Sequence, residues 1–261
     1  MRLRRSKFEL KTPEQFERMR AAGLVVADAL AATKAAVAPG VTTLELDKIA
    51  ETVIRDAGAT PSFLGYNGFT GSICVSVNEE IVHGIPGSRV LEEGDLVSID
   101  CGAIVDGWHG DSAITVGVGQ LSAADQALSD ITEAAMWAGL KAARAGNHLG
   151  DIGAAAQAVV EADAHPYGIV VDYVGHGIGS QMHMDPNVPN VGTPGHGPEL
   201  VVGMALAIEP MITMGSADSI ELEDGWTVVT EDGQRASHWE HTVAITADGP
   251  WVTTSPEGVR L

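Results

Sequence analysis

The stretch VSIDCGAIVDGWHGDSAITV, residues 97–116, sets apolar side chains on both sides of a glycine-containing turn and predicts a β-hairpin around Asp106-Gly107. Each predicted strand nevertheless carries an aspartate. Asp100 follows Val97 and Ile99, and Asp111 precedes Ala113, Ile114 and Val116. Two later apolar stretches repeat the anomaly, with Glu209 in LAIEPMITM and Glu240 in HWEHTVAIT. Burying an unpaired carboxylate costs on the order of several kcal/mol, comparable with the net stability of a small domain. Four such residues call for a chemical reason.

The rest of the pattern supplies the elements around them. Thr12-Pro13-Glu14-Gln15 is a capping box with proline at the first helical position, predicting a helix that runs toward Pro39-Gly40. Thr42 with Glu45 opens a second helix that stops near Gly58. Residues 71–82 and 95–118 read as strands. Ser122 begins an Ala-rich helix ending near Gly146, and Asp151 caps another ending near His165. Strand-like text returns in GIVVDYV from residue 168, MALAIEPMITM, GWTVVT and WEHTVAITA. Asp106-Gly107-Trp108 recurs as Asp224-Gly225-Trp226, each ahead of a strand headed by an acidic residue, an echo that a divergent duplication or chance would equally produce.

Composition narrows the setting. The 261 residues are 45% hydrophobic with mean hydropathy +0.10, and no uniformly apolar run reaches the roughly 18 residues of a membrane span. The charged N-terminus lacks the apolar core of a secretory signal. Two cysteines, Cys74 and Cys101, make no disulfide framework and suit a reducing cytoplasm. A formal charge of −20 opposes stable nucleic-acid binding. Seven of the fifteen basic residues (Arg2, Arg4, Arg5, Lys7, Lys11, Arg18 and Arg20) nevertheless fall within the first twenty positions, as a solvated terminus or a tail for an acidic partner. Beyond residue 20, eight Lys and Arg face thirty-two Asp and Glu, so buried carboxylates cannot count on basic partners.

Taken singly, each of the four carboxylates is explained by a strand end, a salt bridge or an outward sheet face. Together, like charges at close range would raise one another's pKa, and divalent cations are the natural remedy. His176, in VGHGIG, joins them: flanking glycines give steric room and permit unusual backbone angles. One imidazole with four carboxylates and no thiolate is unlike a structural zinc site and suits Mn, Fe, Co or catalytic Zn. Four negative charges point to two ions, a pair that acidifies a shared water for hydrolysis.

The motifs IDCGAIVDGWHGD, VGHGIG, AIEPM and WEHT, in this order, with VNEEIVHGIP and FLGYNGFTGSICVSVN, resemble the type I methionine aminopeptidases over about residues 8–255. The resemblance implies an α+β pita-bread fold: a curved antiparallel sheet with two helix pairs outside, in pseudo-two-fold halves. Residues 1–11 would form a short basic extension and 12–261 one catalytic domain. Asp100, Asp111, His176, Glu209 and Glu240 would hold two divalent ions, with Asp111 and Glu240 bridging. Glu209 would act as general acid–base, His183 would polarise the scissile carbonyl and His83 would lie beside the leaving nitrogen. Phe63, Tyr66, Phe69, Cys74, Met182 and Trp226 would wall the methionine pocket, aromatic rings and sulfur suiting a thioether.

Phe63, Met182 and Met184 depart from the residues common in bacterial relatives, which bears on fine preference rather than on the reaction. The implied role is removal of initiator methionine from nascent chains with a small second residue, by a cytoplasmic monomer with transient ribosome contact, no membrane and no stable nucleic-acid partner. The same five ligands also serve proline-specific aminopeptidases and dipeptidases, which usually carry an added N-terminal domain. Type II enzymes carry an insert for which His176 to Glu209 is too short, and a catalytically dead binding module would have lost ligands.

Overall fold

The computed structural model describes residues 8–261; of the expected basic extension, residues 1–7 lie outside the described residues. Helix α1 spans Pro13–Ala36 and α2 Thr43–Asp56. Both open on the capping boxes read from sequence, with Thr12 paired to Gln15 and Thr42 to Glu45. Gly58, at φ +74°, follows the end of α2, where a left-handed residue is needed. Helices α3 (Ala123–Ala142) and α4 (Leu149–Glu161) form the second pair.

Three helix boundaries differ from expectation, one being the end of α4, at Glu161 rather than near His165. Helix α3 stops four residues short of Gly146, where the Asn147 amide donates to the Ala142 carbonyl. Asp151 is not the cap of α4; it sits at the third helical position and accepts the N–H of His148, the true N-cap, at 2.6 Å.

A nine-stranded, wholly antiparallel sheet is the frame of the molecule. Its main path runs Thr60–Pro61, Leu96–Val105, Trp108–Gly117, Glu240–Thr246, Ala205–Ile208, Gly175–Gly177 and Met184–Val188. The Asp106-Gly107 hairpin forms as expected, with both turn residues at positive φ. The first helix pair packs on the Leu96–Gly117 hairpin and the second beside Ala236–Thr246, each over its own apolar core. The result is the expected curved sheet with helix pairs outside.

Three strand-like stretches break in ways their apolar text does not announce. Residues 71–82 divide into Ile73–Val77 and Glu80–Val82 around Asn78, at φ +62°. In 168–174 only Gly168–Ile169 is strand. MALAIEPMITM splits at Glu209-Pro210, because proline cannot donate to a ladder. Ala205–Ile208 stays in the large sheet, whereas Met211–Thr213 joins a second sheet with Ala236–His238 and Gly168–Ile169. Trp239 marks a matching break between Ala236–His238 and Glu240–Thr246. The repeated tripeptide does not mark equivalent places: Asp106-Gly107 turns the central hairpin, whereas Asp224-Gly225 turns Ser219–Glu221 into Val228–Thr230 in a third small sheet.

The residues just before α1 make contacts with the rest of the chain. The Lys11 N–H donates to the Gly203 carbonyl at 2.7 Å, and its buried ammonium lies 3.4 Å from Glu9. Glu9 in turn accepts from the backbone N–H and hydroxyl of Ser180. Arg20 donates to the carbonyls of Thr253, Ser255 and Pro256. Neither Lys11 nor Arg20 is therefore a free basic side chain for an acidic partner.

Candidate metal centre

Five consecutive strands of the large sheet deliver the five anomalous residues to one face. Asp100, Asp111, Glu240 and His176 lie on four of them, and Glu209 directly follows Ala205–Ile208. Asp100 pairs with Ala113, and Ala113 with Glu240; Asp111 pairs with Gly102; Thr242 and His176 both pair with Ala207. Directly paired residues and positions two apart share a face, so all five side chains rise on the same side. Between them stand Gly102, Ala113, Ala207 and Thr242, whose small side chains leave the space open.

The central junction is short, with only Glu240–Ala113 and His241–Ser112 in register. Side chains reinforce it. The Thr242 hydroxyl donates to the Asp111 carbonyl at 2.8 Å and accepts the Asp111 N–H at 3.2 Å. The Ser112 hydroxyl donates to the Glu240 carbonyl at 2.6 Å. The backbones carrying Asp111 and Glu240 are thus cross-tied where their carboxylates must hold position.

His176 corrects a sequence expectation. It sits on a buried strand, and its flanking glycines neither leave open room nor take unusual backbone angles, since neither has positive φ. The glycines serve close approach: a Cβ at Gly175 would stand 2.3 Å from the Ala207 carbonyl oxygen, and one at Gly177 2.4 Å from that of Asp185. The His176 Nδ1 lies 3.0 Å from the Gly177 carbonyl, leaving Nε2 toward the carboxylates, 3.5 Å from Glu209 Oε1 and 3.8 Å from Asp111 Oδ2.

Donor atoms of Asp111, His176 and Glu240 all lie within 4.8 Å of one another, while Glu209 joins through His176. Asp111 Oδ1, Asp100 Oδ1 and Glu240 Oε1 are buried without a hydrogen-bond partner, and among the described residues no lysine or arginine pairs with any of the five. Burial pushes Asp100 up to about 7, and burial with neighbouring carboxyl charge lifts Asp111 and Glu240 well above the usual range. Glu209 rises for the same reasons. Burial, with His183 nearby, drives His176 down to about 3 and keeps its imidazole neutral. Orphaned carboxyl oxygens around a neutral imidazole are a donor set for divalent cations, and the four carboxylates match two of them.

A cleft of about 560 Å³ opens over this cluster, and every residue that the resemblance assigns to the pocket lines it. Phe63, Phe69, Cys74 and Met182 are buried together, with Tyr66 and Trp226 packed against them. Phe69 and Trp226 meet edge to face, centroids 5.0 Å apart. Cys74 pairs in register with Asp100, which places the pocket floor beside the carboxylates. His183 stands exposed at the mouth, its Nδ1 3.0 Å from the Tyr66 hydroxyl and its ring 4.2 Å from that of His176. His83 holds a left-handed backbone at φ +61°, with its ring edge-on to Tyr173 and Trp226. Burial lowers its pKa to about 4.

Residues 17–247 match the model of metallopeptidase family M24. The chain belongs to that family. It is 57% identical over 245 residues to methionine aminopeptidase 1 of Mycobacterium tuberculosis, covering 92% of both chains. It is 52% identical to that of Bacillus subtilis, covering 92% of this chain and 96% of the relative. Among solved structures, methionine aminopeptidase from Thermotoga maritima superposes with TM-score 0.92 at 40% identity over 95% of this chain and 99% of the other. The fold is therefore the pita-bread α+β fold, and this M24 member is a metal-dependent peptide hydrolase. A prolidase from Pyrococcus furiosus superposes at TM-score 0.74 with 22% identity, which is a likeness of fold alone; this chain covers 65% of its length.

One buried polar residue of this region carries no assignment from sequence. His238, 2% exposed, places Nε2 3.7 Å from Glu209 Oε2. A histidine inside strand-like text two positions before Glu240 was the available signal. His109, by contrast, bonds Ser62, and His196 lies exposed against the Pro194 carbonyl.

Proposed function

We infer that the chain is a metal-dependent methionine aminopeptidase, cleaving the first peptide bond after an N-terminal methionine. The observation that carries this reading is the adjacency of an oxygen-rich donor cluster and an apolar pocket of aromatic and sulfur side chains. When bound at Asp100, Asp111, His176, Glu209 and Glu240, two divalent ions supply Lewis acidity and lower the pKa of water. The remaining work belongs to the chain. Glu209 takes the proton of the attacking water and delivers it to the leaving nitrogen. His183, with Nδ1 accepting from Tyr66, presents its Nε2–H to the scissile carbonyl. His83, neutral in its aromatic setting, donates beside the departing amide. The methionyl thioether fills the space among Phe63, Phe69, Cys74, Met182 and Trp226.

The finer reading is a cytoplasmic enzyme acting on nascent chains with a small second residue, 12–261 being its catalytic domain, and meeting the ribosome transiently as a monomer. Lys11 and Arg20 are engaged internally, so any such contact falls to the remaining basic side chains near the N-terminus. Metal-loaded protein should release free methionine from a Met-Ala-Ser peptide and leave an Ala-Pro peptide intact. Cleavage before proline would instead favour the proline-specific branch, and no cleavage of either peptide with Mn, Fe, Co or Zn would overturn the enzymatic reading.

Trp226→Ala should lower kcat/KM on methionyl peptides by roughly 10–100-fold, since the variant loses an aromatic wall and its edge contact with Phe69. Steady-state kinetics on the same tripeptide check this, and an unchanged value would remove Trp226 from the pocket.

A further inference from the structure

We propose that His238 is a positioning residue for Glu209, donating its Nε2–H to Oε2 and so fixing the carboxylate that faces the metal donors. The inference rests on the metal-centre reading above and extends it to a side chain outside the donor set.

The geometry comes from the junction of two sheets. Pro210 ends one strand and Trp239 separates two others, so that Met211 pairs with His238 in the small sheet while Ile208 pairs with His241 in the large one. Glu209 and His238 therefore emerge side by side at the crossing. One Glu209 oxygen lies 3.5 Å from His176 Nε2 and the other 3.7 Å from His238 Nε2. His238 Nε2 is buried with no hydrogen-bond partner. An unsatisfied buried polar group is costly to keep, so a movement of a few tenths of an ångström that closes this contact is favoured.

The base of His238 is fixed while its ring tip is unspoken for. Its N–H donates to the hydroxyls of Ser98 and Thr115, and its carbonyl accepts from Thr115. Those hydroxyls are linked to each other at 2.9 Å, and Ser237 donates to Thr115. A buried network of this kind holds the His238 backbone in place independently of Glu209. A carboxylate opposite Nε2 selects the tautomer with hydrogen on that nitrogen. Hydrogen-bond partners of metal ligands typically change metal affinity by about 10–100-fold when removed.

The test is calorimetric titration of chelator-stripped protein with Mn(II), comparing wild type, His238→Leu and His238→Gln. The leucine variant should bind one Mn(II) equivalent about 10–100-fold more weakly. Glutamine, which restores an N–H at similar reach, should recover most of that loss. At saturating metal, kcat on a methionyl peptide should fall for the leucine variant with KM little changed. Wild-type affinity in His238→Leu, or equal weakness in both variants, would overturn the assignment. Should the leucine variant fail to fold, His238→Met replaces it in the comparison with glutamine. Wild-type protein that takes up no metal would instead sink the metal-centre reading itself, so the two failures are distinct.

Discussion

Replacing His176 with alanine should reduce kcat/KM on a Met-Ala-Ser peptide by about three orders of magnitude while leaving a folded protein. Metal-assisted stabilisation of a transition state is worth several kcal/mol, and each ~1.4 kcal/mol is a factor of ten in rate. His176 is the only imidazole in the tight donor trio with Asp111 and Glu240. Its strand is held from both sides by Ala205–Ile208 and Met184–Val188, so truncating the ring empties the site without unzipping the ladder. Circular dichroism establishes the fold and peptide kinetics establish the loss. Near-normal turnover by a folded variant would remove His176 from the metal site.

Stripping the metal should make stability fall as pH rises. In the metal-free folded chain, Asp100 keeps its proton up to about pH 7, whereas the unfolded chain releases it near its ordinary value of about 4. Between those limits the folded state binds more protons than the unfolded state, so raising pH favours unfolding. Asp111, Glu209 and Glu240 are displaced in the same direction, which extends the loss beyond pH 7. Asp100 alone contributes on the order of a few kcal/mol, or roughly 5–10 °C in Tm. Metal binding favours deprotonated ligands and should abolish most of this slope. Thermal melts from pH 5 to 8, with chelator and with Mn(II), measure it. A metal-free Tm that holds steady or rises over that range would contradict the carboxyl cluster.

Much of the site was legible because its residues break local rules. Asp100 and Asp111 contradict the strands that contain them, and Glu209 and Glu240 do the same, so the misplaced charges single out a candidate donor set. The helix starts at Thr12 and Thr42 were legible for the opposite reason: capping is local chemistry, complete within four residues. Asp151 shows the limit of that reading. An acidic residue is equally at home at the N-cap and at the third position, and only the backbone of His148 distinguishes them.

The chain order of residue types determined the presence of four misplaced carboxylates, the hairpin at Asp106-Gly107 and the helix starts. Tertiary structure decided the rest. Glycines 175 and 177 are alike in sequence whether they free a loop or admit a neighbouring backbone, and strand packing selected the second. Pro210 interrupts an apolar run, but which sheet receives each piece depends on partners far along the chain. For the same reason the strand-like text around His238 did not reveal its partner, a neighbour 29 positions away brought close where two sheets cross. Local propensity sets which elements form, whereas the convergence of side chains is fixed by non-local pairing and burial.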